Sequence, residues 1–301
     1  MLHGIALKYF VEVARCGSLG AAAENLQVAV SAISRQITKL EQETGTLLFE
    51  RQPRGLVLTE AGQLLADHAR RALLDAQLVL GEISSRHASG DGMVRLASTD
   101  GFAHAFLPDV MMADHLQYPH TRFVLLVGSP EQVRHWISTG EADIGLSFAV
   151  ENTHGIDLVL QHTAPVCALL RPGHPLAERE ELSLEELASF PLAILERGNT
   201  VRQLLERSFA AQGKAFSPLL SSGHSSTLHR FAAHTDTIAL GSRLAIHGLP
   251  ECSRLLAKRI NEPLLQQRQL QLMTMQDRRL PPAVSRFLRL LVQQLREVLV
   301  T

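Results

Sequence analysis

The stretch Ser18–Gly45, SLGAAAENLQVAVSAISRQITKLEQETG, decides the fold of the N-terminal part of the chain. Its apolar residues recur at helical spacing in two groups with a break at Gln27-Val28 between them, namely Ala22, Ala23 and Leu26, then Ile33, Ile37 and Leu40. Ser18 is a suitable N-cap for the first helix, and Gly45 a suitable C-cap for the second. Two short helices joined by a tight turn predict a helix-turn-helix.

The second helix of such a motif enters the major groove of DNA with its N-terminal residues foremost. Most of the side chains at this end are short and polar or basic, which suits base edges and phosphates. The residues predicted to contact DNA in this region are Ser18, Val30, Ser31, Ala32, Ser34, Arg35 and Lys39. A helix-turn-helix used only for protein contacts is the alternative.

Two β-prone runs, Leu47–Arg51 and Leu56–Thr59, flank the turn-forming Gln52-Pro53-Arg54-Gly55. This pattern predicts a hairpin, which beside a helix-turn-helix is a wing. Arg51 and Arg54 fall at or near its tip, where they can reach phosphates or the minor groove. Thr59, at the end of the second run, is also predicted to contact DNA. Residues 1–60 form the predicted winged helix-turn-helix domain.

A long helix is predicted from the N-cap Thr59 to about Arg86, followed by a hinge at 87–92. Its apolar residues alternate spacings of four and three, which is a heptad stripe: Leu65, Ala69, Ala72, Ala76, Val79 and Ile83. We therefore expect residues 61–88 to be a linker helix through which the protein forms a dimer. A helix packed on its own domain is the alternative.

Strands and helices alternate from residue 91 to residue 301, which predicts an α/β domain of two lobes with mostly parallel sheets. Lobe I is expected at about 91–162 and 268–301, and lobe II at about 163–267. The predicted strands are Val94–Ala97, Arg122–Val127, Asp143–Leu146, Val166–Leu170, Leu192–Leu195, Ile238–Leu240 and Leu270–Met275. The predicted helices are Ala103–His115, one each opening at Ser129 and Ser183, Thr200–Gln212, Ser225–His234, and a last one that contains Val284 to Leu295.

Ligands of open α/β sheets bind beyond the carboxyl ends of the strands, and helix N-termini favour anions. Polar turns at these places predict an effector site for a small polar molecule, with a carboxylate as the candidate class. The residues assigned to it are Ser98, Thr99, Gly128, Ser129, Phe148, Asn199, Thr200 and Ser225. The alternative is that these residues are plain helix caps. Arg197 and Arg202 are candidates to balance a ligand carboxylate.

The N-terminal sequence resembles the DNA-binding signature of LysR-type transcriptional regulators. The segments that carry this resemblance are the helix-turn-helix residues, Leu48-Phe49-Glu50-Arg51 and Leu58-Thr59-Glu60-Ala61-Gly62. The runs Gly140–Gly145 and Arg171–Ala177 resemble the effector domain of that family. The resemblance implies an N-terminal all-α winged helix-turn-helix with a linker helix, and a C-terminal α/β two-lobed periplasmic-binding-protein-like domain. It also matches Ser98, Thr99, Ser129 and Thr200 to effector contacts.

As partners, the resemblance implies a double-stranded DNA operator, a small-molecule effector and further copies of the chain, in a homotetramer built from dimers. RNA polymerase is a further candidate partner. One departure concerns the start of the second helix, where Ala29-Val30 stands in place of the family's Ser-Gln. The usual cap and base contact are therefore missing, and Val30 is expected to touch a thymine methyl group instead.

Composition limits the other classes of function. The net charge is −1, so DNA binding must depend on a few placed cations. Three widely spaced cysteines and the lack of a signal peptide or membrane span favour a cytoplasmic protein. No cofactor motif, nucleophile elbow or H-E-x-x-H is present, and His224, His229 and His234 do not share a helix face. We therefore expect no catalytic residues, metal or cofactor, and the alternative is an enzyme or solute receptor on the same scaffold.

Overall fold

A computed structural model describes residues 4–53, 55–84, 92–104, 106–149, 155–196, 198–246 and 254–300. The chain divides into two compact units, one formed by 1–89 with 277–279 and the other by 90–276 with 280–301. Among the described helices, none is long and apolar enough to cross a membrane.

The first unit is a winged helix-turn-helix followed by a long helix. Its elements are α1 Gly4–Cys16, α2 Leu19–Leu26, α3 Val30–Thr44, β1 Phe49–Gln52, β2 Gly55–Leu58 and α4 Glu60–Ser84. The two strands pair antiparallel, as the wing requires. Phe10 of α1 is fully buried, and its ring centroid lies 5.2 Å from that of Phe49. The predicted helix-turn-helix and hairpin are confirmed at the level of secondary structure.

The heptad stripe of α4 has two environments. Leu65 and Ala69 are buried in the core of the winged helix-turn-helix, so this half of the stripe follows the alternative of packing on its own domain. Ala76, Val79 and Ile83 are exposed, and the side chain of Ile83 is 62% accessible. Within the stripe, the exposed apolar side chains that could meet a second helix therefore lie in the C-terminal half of α4.

The second unit contains two sheets. Lobe I has β3 Gly92–Ser98, β4 Thr121–Val127, β5 Ile144–Ala149, β6 Ile156–Thr163 and β13 Gln269–Met275, with helices α5 Asp100–Ala103, α6 Phe106–Gln117, α7 Pro130–Thr139 and α11 Pro282–Val300. Lobe II has β7 Cys167–Leu170, β8 Glu181–Leu182, β9 Leu192–Leu195, β10 Leu220–Ser222, β11 Ile238–Gly241 and β12 Leu256–Ile260, with α8 Leu184–Ala188, α9 Thr200–Ala211 and α10 Ser225–His234.

Both sheets are mixed, which corrects the expectation of mostly parallel strands. In lobe I the order is β4-β3-β5-β13-β6, and β13 runs antiparallel to both of its neighbours. In lobe II the order is β10-β9-β11-β7-β12-β8, and β7 runs antiparallel to β11 and β12. The chain enters lobe II after β6 and returns through β13, and the first strand after each crossing, β7 or β13, runs against the other strands of its sheet.

The predicted helix Ala103–His115 is wrong in its bounds, because the structure has α5 and α6 there instead. Pro108 is the third residue of α6, where its missing N–H is not needed for an intrahelical hydrogen bond. The strand β6 was not predicted, although Ile156, Leu158 and Leu160 alternate along it. The other predicted strands and helices of this unit are present, with shifts of a few residues at their ends.

Gly62 of α4 offers a test of the first unit, because a Cβ there would collide with the backbone carbonyl of Leu48. We expect Gly62→Ala to lower the free energy of unfolding by about 1–3 kcal/mol, since backbone must move to admit the methyl group. Chemical denaturation followed by circular dichroism measures the change. Gly20→Ala in α2 is the matched control, because its Cβ would have only an ordinary contact with Ser18 at 3.7 Å. Equal stability of both variants would contradict the packing.

Candidate functional site

The N-terminus of α3 is the first candidate site. The helix begins at Val30, and the residue before it, Ala29, has extended backbone angles and no capping side chain. Val30 is 46% exposed, and Ser31 and Arg35 are also exposed. The opposite face of the helix is buried in the domain through Ile33, Ile37 and Leu40. The predicted reading face is therefore the accessible one.

The other residues assigned to DNA have different surroundings. Arg35 donates from Nε to the carbonyl of Ser31 at 3.2 Å, which holds its side chain along the helix surface. Ser34 and Ala32 are half-buried, and the side chains of Lys39 and Arg51 are exposed. Arg54 lies outside the described residues.

Two of the assigned hydroxyls act as helix caps. The Ser18 Oγ accepts from the Ala21 amide at the start of α2. The Thr59 Oγ1 accepts from the Gly62 amide at 2.9 Å and donates to the carbonyl of Leu47 at 2.8 Å, so it joins α4 to the wing. Both side chains therefore have a structural role whether or not DNA is bound.

The uncapped start of α3 gives a direct prediction. Replacing Ala29 with Thr supplies a side-chain acceptor for the first-turn amides, and we expect it to raise the free energy of unfolding by about 1 kcal/mol. Ala29→Val is the matched control, since it has the same shape without the oxygen. The measurement is chemical denaturation of both variants beside the parent protein. A gain shared by the Val variant would show that capping is not its cause.

The second candidate site is the junction between the two lobes, where the carboxyl ends of three strands of lobe I come together. The Gly128 amide donates to the Ser98 carbonyl at 3.0 Å, and the Thr99 amide donates to the Leu146 carbonyl at 3.1 Å. Phe148, near the end of β5, is buried and stacks on Phe102 with ring centroids 4.4 Å apart. The structure thus brings the lobe I members of the predicted effector site together.

The hydroxyls of Ser98 and Thr99 are unusual among these groups. Both are buried and have no hydrogen-bond partner among the residues that the structure describes. A buried hydroxyl without a partner is destabilising, and such groups are uncommon in folded proteins. They lie at the end of β3, next to Asp100, which accepts from the Ser225 amide of lobe II.

Lobe II contributes helix N-termini to the same junction. The Thr200 Oγ1 of α9 donates to the Phe148 carbonyl at 3.3 Å. The Ser225 amide of α10 donates to the Asp100 carboxylate at 2.6 Å. Asn199 and Ser129 cap α9 and α7, as the alternative of plain caps predicts. Arg202 pairs with Glu206 at 2.8 Å, and Arg197 lies outside the described residues.

The electrostatics of the junction depend on Asp100, which the sequence reasoning missed. Burial raises the pKa of its carboxyl, but hydrogen bonds from the side chain and backbone of Ser225 and the charge of His104 outweigh this effect and hold the pKa below its usual range. Burial lowers the pKa of His229 to about 4, and the charge of Asp100 opposes this only in part. His229 is therefore neutral at pH 7. Residues from two lobes meet here, so no local sequence pattern signals the group.

Arg268 is a second residue that the sequence reasoning missed. Its side chain is fully buried where the chain returns to lobe I, and burial lowers its pKa to about 10. Nε donates to the Ala164 carbonyl at 2.9 Å, and Nη2 lies 3.1 Å from the Pro165 carbonyl and 3.2 Å from that of Gly241. The guanidinium carbon lies 4.2 Å from the centroid of the Phe148 ring.

We expect Arg268→Lys to lower the free energy of unfolding by about 2–3 kcal/mol, because an ammonium group cannot reproduce the planar fork or its stacking on Phe148. Thermal and chemical unfolding of the full chain measure the loss. Arg230→Lys, an exposed change on α10, should alter stability by less than about 0.5 kcal/mol. Comparable effects of the two changes would contradict a structural role for Arg268.

Comparison with known proteins identifies the class. Residues 5–63 match the family described as bacterial regulatory helix-turn-helix protein, lysR family, and residues 87–296 match the LysR substrate binding domain. The chain belongs to the LysR family of transcriptional regulators. It is a DNA-binding regulator with an effector-binding domain and not an enzyme. Regulators of this family bind DNA and small-molecule effectors and form oligomers.

Individual relatives agree with this assignment. The chain is 29% identical over 279 residues to the uncharacterized HTH-type transcriptional regulator YfeR of Shigella flexneri, which covers 93% of this chain and 90% of that protein. It is 31% identical over 210 residues to the uncharacterized regulator YdcI of Escherichia coli, with 69% and 68% covered.

Solved structures show the same fold. A full-length OxyR variant from Pseudomonas aeruginosa superposes with a TM-score of 0.66 at 18% identity, covering 98% of this chain and 95% of that one. CbnR in complex with its target DNA gives a TM-score of 0.54 at 21% identity, with 97% and 100% covered.

Proposed function

We propose that this regulator binds a small polar effector, with carboxylates as the first class to test, between the two lobes of residues 91–301, and that the effector changes how residues 1–60 bind an operator. The observation that carries the proposal is the pair of buried, unpartnered hydroxyls of Ser98 and Thr99 at the lobe junction. The next residue, Asp100, accepts from the Ser225 amide of lobe II, so the pair lies beside a contact between the lobes, the kind of place where small-molecule sites are common.

The coupling follows from population shift. The contacts between the lobes include two hydrogen bonds, from the Thr200 hydroxyl to the Phe148 carbonyl and from the Ser225 amide to Asp100. A ligand that binds one arrangement of the lobes more tightly favours that arrangement. In a dimer formed through the linker helix, residues 61–88, such a change alters the spacing of the two DNA-binding domains. The exposed Ala76, Val79 and Ile83 support this interface.

On DNA, we propose that α3 reads the major groove with Val30, Ser31, Ala32, Ser34 and Arg35, while Arg51 and Arg54 of the wing contact phosphates or the minor groove. A two-fold dimer favours a near-palindromic operator. The full assembly in this proposal is a homotetramer of cytoplasmic location, with RNA polymerase as a partner at regulated promoters.

The effector site is tested by removing the two hydroxyls. In thermal-shift screening and calorimetry with a panel of small carboxylates, we expect Ser98→Ala with Thr99→Val to weaken the binding of a hit about tenfold or more, since each hydroxyl provides about 1 kcal/mol or more when buried. The variant should be as stable as the parent protein, because neither hydroxyl has a hydrogen-bond partner among the described residues. Unchanged affinity for every hit would reject this site.

Ser208→Ala is the matched control for this experiment. The Ser208 hydroxyl of α9 is also buried without a partner among the described residues, but it is not in the predicted effector site. Its removal should leave both stability and ligand affinity unchanged. An equal loss of affinity in this variant would show that the effect of Ser98 and Thr99 is not local.

DNA binding is tested with the intergenic DNA upstream of the protein's own gene, at several salt concentrations. We expect Arg35→Ala to lose about 1–3 kcal/mol of specific binding relative to a scrambled fragment. Binding by the parent should fall steeply with salt, since phosphate contacts release counterions. Arg296→Ala on α11 removes the same charge outside the proposed surface and should retain specificity. Equal specificity of Arg35→Ala and the parent would remove Arg35 from the reading face.

A further inference from the structure

Three potential metal ligands meet at the lobe junction: Asp100 and His104 from lobe I and His224 from lobe II. Their candidate ligand atoms all lie within 4.8 Å of one another. The Asp100 Oδ1 is 3.0 Å from the His104 Nε2 and 3.5 Å from the His224 Nδ1. One carboxylate oxygen therefore faces an imidazole nitrogen from each lobe.

The two distances from the Asp100 oxygen are close to the edge length of a metal coordination tetrahedron, and the two histidine nitrogens lie within 4.8 Å of each other. Bonds from Zn²⁺ to histidine nitrogen and carboxylate oxygen are about 2.0–2.2 Å, so neighbouring ligand atoms of a tetrahedral site lie roughly 3.3–3.5 Å apart. Both distances from the Asp100 oxygen fall close to that value without rearrangement of the backbone. The histidine side chains are accessible, at 39% and 73%, so an ion can reach them from solvent.

The second oxygen of Asp100 is held separately. Its Oδ2 accepts from the Ser225 amide at 2.6 Å, at the N-terminus of α10. Hydrogen-bonded carboxylates are the usual ligands of metal sites, because the outer partner fixes the orientation of the inner oxygen. The His224 backbone is held as well, since its amide donates to the Ser222 Oγ at 3.1 Å.

We propose that Asp100, His104 and His224 form a site for a divalent first-row transition metal ion, Zn²⁺ in the first instance, which joins the two lobes. Two imidazoles and one carboxylate are a ligand set that suits such ions. Three protein ligands leave a fourth position for water or for an oxygen atom of another ligand. Because the ligands come from both lobes, the ion binds most tightly when the lobes are in the described arrangement.

The test uses the full-length protein, first stripped of metal with a chelator and then titrated with Co²⁺. We expect one equivalent per chain to produce the visible absorption bands of four-coordinate Co²⁺, and added Zn²⁺ to abolish them. His104→Ala in lobe I and His224→Ala in lobe II should each weaken Co²⁺ binding more than about tenfold, since even the loss of an outer partner costs 10–100-fold. Both side chains are exposed, so the variants should fold, which circular dichroism checks.

His120→Ala is the matched control, because it removes another exposed histidine that is not in the cluster. It should bind Co²⁺ as the parent does. Full affinity in both ligand variants, or an absence of the visible bands in the parent, would reject the proposal. A near-ultraviolet charge-transfer band from thiolate to Co²⁺ would place the metal on a cysteine and would also reject it.

Thermal unfolding with Zn²⁺ tests separately whether the ion joins the two lobes. Zn²⁺ should raise the midpoint of thermal unfolding in the parent and in His120→Ala, but not in His224→Ala, because an ion bound to the native state stabilises it. Stabilisation of His224→Ala equal to that of the parent would show that lobe II supplies no ligand. Neither measurement uses DNA or the small-molecule effector, so failure here is distinguishable from failure of the proposed function.

Discussion

The arrangement of the two lobes in the effector domain depends on Arg268. This buried cation joins the two segments in which the chain crosses between the lobes. The Ala164 amide donates to the Arg268 carbonyl at 2.9 Å, so the outgoing and returning segments are paired by backbone. The guanidinium of Arg268 then joins the carbonyls of Ala164 and Pro165 to that of Gly241 in lobe II. Desolvating such a charge costs several kcal/mol, and the carbonyls with the Phe148 ring are the groups that offset it.

This arrangement fixes one side of the junction and leaves the other side to weaker contacts. Away from the crossings, the contacts between the lobes include the hydrogen bonds from Thr200 to the Phe148 carbonyl and from the Ser225 amide to Asp100, and Leu244 of lobe II packs in the core of lobe I. Hydrogen bonds of this kind contribute about 1 kcal/mol each, or more when one partner is charged. Phe148 belongs to both sides, because its ring lies under Arg268 and its carbonyl accepts from Thr200. A ligand beside Phe148 is therefore positioned to influence the crossing and the lobe contact together.

Much of the fold could be predicted because its signals are local. The capping boxes at Ser129 and Ser183 determine the starts of α7 and α8, and α10 has the predicted bounds Ser225–His234. The short strands β8, β10 and β12 carry little pattern of their own and form because a neighbouring strand is there to pair with. The heptad stripe of α4 specified an apolar face but not its partner, so Leu65 and Val79 end in different environments. Of the candidate effector site, the polar turns were predictable, whereas Asp100 with Ser225 and Arg268 with Ala164 required the tertiary fold.

At the start of α3, the exposed residues that face solvent are distinct from the buried residues that stabilise the domain. The methyl group of Ala29 cannot accept from the first-turn amides, and Val30 exposes nearly half of its surface. Neither feature disturbs the domain, because Ile33, Ile37 and Leu40 bury the opposite face of the helix. Amides at a helix N-terminus are good donors to a phosphate oxygen, and an exposed valine gains from contact with a thymine methyl group. A serine in position 29 would supply a side-chain acceptor for a first-turn amide, whereas alanine leaves the exposed first-turn amides without a capping side chain.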